Sequence, residues 1–154
     1  MKKAIFLLLL IMLTACTNKP KYPPNDFDNF PSMHYEEATQ KFSESNKPTL
    51  LFFNSIACVN CRKTEQMLTK KIGLQRIKEK YNLINLYVDD QEILPSNQWK
   101  KHRNKTKKRK GQINAILQTE LTQTGSQPYL VLPQDTTLIP YTPNLNELIE
   151  LLGL

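Results

Sequence analysis

The chain has 154 residues, 40% hydrophobic and 23% charged, which suits one globular domain and excludes a fibrous or wholly disordered protein. Its net charge of +7 is not spread evenly, because Lys100 to Lys110 carries eight basic residues and no acid. The rest sums to about −1, so a domain-wide nucleic-acid surface is excluded and no nucleic-acid partner is expected.

Lys2 and Lys3 precede an apolar run from Ala4 to Leu13, the parts of a secretory signal. The run falls well short of the roughly 20 residues that span a bilayer. It ends in Leu13-Thr14-Ala15-Cys16, which resembles the lipobox of bacterial lipoproteins. That resemblance implies a signal peptide over 1–15, a lipid on Cys16 and a place in the bacterial cell envelope, on the periplasmic or extracytoplasmic face. An ordinary signal peptide with a chance cysteine is the alternative. With Cys16 carrying lipid, Cys58 and Cys61 remain, in a compartment where disulfides persist.

Residues 16–32 contain Pro20, Pro23, Pro24 and Pro31 and read as an extended tether. The folded domain is then 33–154. Ser32 is expected to cap a helix bearing Tyr35, Ala38 and Phe42 and ending near Asn46, before Lys47-Pro48. Thr49 to Asn54 is almost wholly apolar, as in a strand buried on both faces. After Ser55-Ile56-Ala57 comes Cys58-Val59-Asn60-Cys61, opening a helix that runs to Tyr81 and bends at Gly73. Leu83 to Asp89 is a second strand, parallel to the first. Residues 91–110 read as loop, the basic run included. Ile113, Leu117 and Leu121 mark another helix. Tyr129–Leu132 and Thr137–Tyr141 form a hairpin, and Asn144 with Glu147 predicts a capping box on a last helix.

The thiolate is the reactive form of cysteine. Cys58 at a helix start receives unpaired N–H groups and the positive end of the helix dipole, and Arg62 and Lys63 add positive charge. Cys58 is therefore the expected attacking sulfur, with Cys61 nearly one turn on, within reach to resolve a mixed disulfide. Zinc or copper sites also use this spacing, but a structural zinc needs four ligands, and beyond the pair only His34 and His102 are at hand. No metal is expected, and no cofactor other than the redox-active disulfide. An inert buried disulfide is the remaining alternative; it needs neither a helix start nor flanking cations.

Lys47 to Phe53 followed by Cys58-Val59-Asn60-Cys61-Arg62-Lys63 resembles the thioredoxin family over roughly residues 33–154. The Val59-Asn60 dipeptide, Leu86-Tyr87-Val88-Asp89-Asp90 and Gln127-Pro128-Tyr129-Leu130-Val131-Leu132 are most similar to the C-terminal periplasmic domain of DsbD-type thiol:disulfide interchange proteins. The resemblance implies an α/β thioredoxin fold with a mixed sheet of about four strands. It implies Cys58 as nucleophile and Cys61 as resolving cysteine. Pro128 would be a cis proline beside them, exposing the backbone of Gln127 to a substrate strand. It also implies an oxidoreductase that reduces disulfide-containing exported proteins, supplied by a membrane thiol donor. One dedicated client in cytochrome c or copper-site maturation is the alternative. An alternative of another class is a non-catalytic lipoprotein binding an anionic partner through the basic loop. Two positions depart from thioredoxin: Ala57 replaces a common tryptophan, and Phe52 stands where thioredoxin buries an aspartate. Glu65, one turn after Cys61, is expected on the solvated surface; otherwise it takes over that aspartate's proton transfer. Trp99 is expected to anchor a loop.

Overall fold

A computed structural model describes residues 33–154; the leader, Cys16, the tether and the Ser32 cap lie outside them. The elements are α1 (Tyr35–Lys41), β1 (Thr49–Asn54), α2 (Val59–Gln66), a π-helical stretch (Met67–Gly73), α3 (Leu74–Lys80) and β2 (Asn82–Tyr87). A short hairpin follows, β3 (Lys100–His102) and β4 (Lys105–Lys107), then α4 (Lys110–Thr122), β5 (Tyr129–Leu132), β6 (Thr137–Pro140) and α5 (Leu145–Leu151). One mixed sheet runs β2-β1-β5-β6, with β1 and β2 parallel and β5 antiparallel to β1.

Strand periodicity divides the core into two layers. Leu50 and Phe52 of β1, Leu83 of β2, and Leu130 and Leu132 of β5 face a cluster closed by Leu68, Ile72, Ile77, Leu148 and Leu152. The intervening Leu51, Phe53, Ile84, Leu86 and Val131 face Ala38, with Leu117 and Leu121 of α4 packed against them. Helices α2, α3 and α5 thus cover one face, and α1 and α4 the other. Both clusters are built from residues within 33–154 among the described residues.

The expected bend at Gly73 is present: its φ of +92°, costly for any residue with a Cβ, separates the π-helical stretch from α3. Helix α1 ends a turn earlier than its apolar spacing predicts. Ser43 Oγ donates to the Gln40 carbonyl and Ser45 Oγ to Asn82 Oδ1, which turns the chain toward β2. At α5, Asn144 Oδ1 accepts from the N–H groups of Asn146 and Glu147. Glu147 does not complete the reciprocal half of the box, because its carboxylate accepts from Thr142 Oγ1 instead.

The basic run is not a loop. Lys100 pairs with Lys107 and His102 with Lys105 across an antiparallel hairpin. Arg103 and Asn104, with φ of 48° and 62°, form a two-residue turn whose left-handed pair matches strand twist. With no aliphatic residue to alternate, the run carries no strand signature in sequence. Backbone pairing and β-tolerant Thr106 build it, and a bridge between Ile93 and Arg109 extends it. Trp99 is the expected anchor: its Nε1–H donates to the Leu94 carbonyl at 2.8 Å, under the Lys108 ammonium 4.4 Å from its ring centre.

Candidate active site

The carboxyl end of β1 leads through Ser55-Ile56-Ala57 into α2, and Cys58 is the N-cap of that helix. Its Sγ lies 3.1 Å from the Cys61 N–H, so the sulfur takes the place an oxygen normally fills at a helix start. Cys58 and Cys61 are joined as a disulfide, their Cα atoms 5.1 Å apart. Cys58 is partly exposed and Cys61 fully buried. Ile56 and Val59 stand exposed on either side, an apolar rim where the common tryptophan is replaced by Ala57. Asn60 is half-buried, and its carbonyl accepts from Thr64 Oγ1.

The Gln127–Pro128 peptide is cis, and the Gln127 carbonyl oxygen is 3.8 Å from Cys58 Sγ. The side chain of Gln127 is drawn away: its Nε2 donates to Gln118 Oε1 at 3.0 Å and to the Gly125 carbonyl. Gln118, fully buried on α4, also donates to the Ser126 carbonyl. Helix α4 therefore holds the proline loop in place and turns its backbone, rather than its side chains, toward the sulfur. The structure brings Cys58, Cys61, Gln127 and Pro128 together as the sequence predicts.

Two of the remaining residues, Arg62 and Glu65, differ from expectation. Arg62 does not point its charge at the cysteines. It is 4% exposed, and its Nη2 meets Glu65 Oε1 at 2.5 Å. It donates as well to Asn54 Oδ1, the Ser55 carbonyl and Tyr87 OH, and its guanidinium lies 5.5 Å from the Tyr87 ring centre. Glu65, expected on the surface, is 1% exposed and also accepts from Tyr87 OH at 3.0 Å. Helical phase explains both. Cys61 faces the sheet, so its neighbours Arg62 and Glu65, three apart on one side of α2, face it too. They meet the polar ends of β1 and β2, where Asn54 Nδ2 donates to Asn85 Oδ1. Lys63 projects outward and is exposed. Cys58 Sγ therefore meets the helix terminus through the Cys61 N–H, while the Arg62 charge is paired with Glu65. Phe52 is fully buried in the apolar cluster beneath α2, so the position of thioredoxin's aspartate carries no proton acceptor.

Residues 35–144 match the family model of a thioredoxin-like domain. The chain belongs to the thioredoxin-like family. No curated protein matches the chain.

Sequence reasoning misses one residue that shapes the cysteine corner of this thioredoxin-like domain. Asp89, just beyond β2, accepts from Ser55 Oγ at 2.7 Å, from the Ile56 N–H at 2.9 and 3.0 Å, and from the Ala57 N–H at 3.4 Å. It fixes the three residues before Cys58. The one signal for it in the sequence is an acidic pair, Asp89-Asp90, ending a buried strand parallel to β1. Asp90 serves a different element, because its carbonyl accepts from the Gly111 N–H at 3.0 Å. A Cβ on Gly111 would sit 2.5 Å from the Asp90 nitrogen, so only glycine lets α4 press so closely on that backbone. Among the described residues, no three His, Cys, Asp or Glu side chains converge on a point that could hold a metal ion. No helix among them is long and apolar enough to cross a membrane.

Proposed function

We propose that the protein is a thiol:disulfide oxidoreductase of the bacterial cell envelope, anchored by lipid on Cys16, that reduces disulfides in exported proteins. The observation that carries this reading is the asymmetry of the pair. Cys58 is partly exposed, capped by helix N–H groups and beside the Gln127 carbonyl. Cys61 is sealed beneath it.

In the reduced protein, the Cys58 thiolate attacks one sulfur of a client disulfide, and the client's other sulfur leaves and takes a proton. Cys61, giving up its own proton, then attacks Cys58 Sγ. The Cys58–Cys61 disulfide forms, and the client departs with two electrons and two protons gained. A membrane thiol donor resets the pair. The exposed Ile56 and Val59 offer an apolar seat for the client, and the Gln127 backbone a partner for its extended chain. Val59-Asn60 supports the reducing direction by likeness to DsbD-type domains.

The test is an equilibrium titration of the full chain against glutathione. A potential toward −270 mV, the thioredoxin end of the range for this fold, is expected; one near −120 mV overturns the reductase reading. Cys58→Ser should abolish exchange. Cys61→Ala should trap many exported proteins as mixed disulfides, whereas a single trapped client would point to dedicated cytochrome c or copper-site maturation.

A further inference from the structure

We propose that the β3–β4 hairpin is a docking surface for membranes bearing anionic head groups. This rests on the envelope-anchored reading for its occupant, and on the hairpin's own geometry for its chemistry. Of the eight cations from Lys100 to Lys110, five lie in the hairpin itself, and two of the eight are held by acids. Lys100 meets Glu36 at 2.9 Å, and Lys110 is paired with Glu92 and lies 3.7 Å from Asp90. Lys108 stacks on Trp99. Lys101, Arg103, Lys105, Lys107 and Arg109 have no acidic partner among the described residues. All of them but Lys107, which is half-buried, are exposed.

Two further features distinguish this surface from a solvated charge run. Ile93, 66% exposed, and Trp99, 37% exposed, border the cations, the pairing of basic and interfacial apolar groups that suits a head-group boundary. Between the hairpin and α4 lies an open cleft of about 400 Å³, walled by His102, Arg103 and Lys107 with Gln112 and Thr119 opposite. Arg103 and Lys107 on one wall and the Gln112 amide on the other fit a phosphate ester, while Thr119 Oγ1 donates to the Ala115 carbonyl.

The chain's own course favours a membrane over an acidic protein. The Met33 N–H donates to the Asn85 carbonyl on edge strand β2, and Glu36 reaches Lys100, so the N-terminal arm joins the fold beside the hairpin. A lipid on Cys16 would keep that edge within about 60 Å of the bilayer, at most about 3.5 Å per residue. Even weak head-group attraction then acts at high effective concentration. In the sheet order β2-β1-β5, the hairpin follows β2 while Gln127 and Pro128 precede β5. Strand β2 is an edge of the sheet and β5 an inner strand beyond β1, so docking on the hairpin side leaves the Gln127 side of Cys58 to a client.

The experiment uses the chain from Thr17 onward, which keeps the residues of both core clusters and carries neither the leader nor the lipidated cysteine. Binding is measured by co-sedimentation with vesicles of phosphatidylcholine alone, or of equal parts phosphatidylcholine and phosphatidylglycerol. Binding at least about tenfold tighter to the anionic vesicles, lost at high salt, is expected. The Lys101→Thr, Lys105→Thr, Lys107→Thr combination should weaken it on the order of a hundredfold, at about fivefold per charge. Should that combination fail to fold, Arg103→Asn keeps the left-handed turn and should cost about fivefold. Equal binding to both vesicles, binding unmoved by these substitutions, or tighter binding to poly-glutamate than to anionic vesicles overturns the proposal. None of the changes touches Cys58 or Cys61. Exchange with a small disulfide therefore reads the redox function independently, and either reading can fail alone.

Discussion

The two corners at the carboxyl ends of the parallel strands treat charge in opposite ways. At the cysteine corner, where β1 meets α2, a single guanidinium is buried and its two terminal nitrogens are held by Glu65, Tyr87, Asn54 and the Ser55 carbonyl, while its Nε–H has no partner among the described residues. Around the partly exposed sulfur of Cys58 stand the aliphatic Ile56 and Val59, with Lys63 the exposed cation of this helix turn. At the hairpin corner, where β2 leads to α4, most cations stand in water without a counter-ion. Local charge density in the sequence thus says little about where charge shapes the fold. The isolated Arg62 is structural, and the dense run is surface.

The sharpest way to break that contrast is to remove one partner at each corner. Glu65→Ala leaves Arg62 buried beside an uncompensated cavity and should cost about 3–5 kcal/mol in urea unfolding. Replacing Arg62 and Glu65 together by Met and Leu should restore much of the loss, because a buried pair repays little beyond its own desolvation. A full loss in the double variant would show that the pair, rather than its compensation, sustains the corner. Next in size, Gly111→Ala places a Cβ against the backbone of Val88 and Asp90 and should cost about 1–3 kcal/mol by the same measurement. At the hairpin, Lys105→Thr should shift stability by no more than about 0.5 kcal/mol.

A pH series separates a third site from both corners. His34, fully buried at the start of α1, has no hydrogen-bond partner on either ring nitrogen among the described residues. Burial holds its pKa below the ordinary 6.5; Glu36 opposes that shift, and Lys100 reinforces it. The unfolded chain therefore takes up a proton near pH 6.5 while the folded chain does not, so stability is full above that pH and falls as the pH drops below it. Against His34→Leu, which cannot titrate, the wild-type chain should lose stability progressively below about pH 6.5. Parallel curves for the two proteins would exclude His34 as the cause.

What is legible in sequence follows the range of the forces involved. β1 declares itself because five consecutive positions, Leu50 to Asn54, are buried between two layers, and α4 because Ile113, Leu117 and Leu121 keep helical spacing. The cysteine pair is legible because its chemistry needs two residue types at one spacing next to a strand end. Arg62 and Glu65 are misplaced by sequence reasoning because the face of α2 they occupy depends on the sheet beneath. One partner, Asn54, ends the strand before α2, and another, Tyr87, lies more than twenty residues on. The hairpin is invisible because its strands carry no apolar alternation, and its turn rests on Arg103 and Asn104 rather than a glycine.

The placement of Asp89 and Asp90 has a mechanical consequence. One carboxylate grips the loop that presents Cys58, and the next residue's backbone seats the first turn of α4, immediately after the hairpin. A single peptide link lies between those two fixtures. Force applied to the cationic arm by whatever it rests on would have only that link to cross before reaching the residues that aim the reactive sulfur.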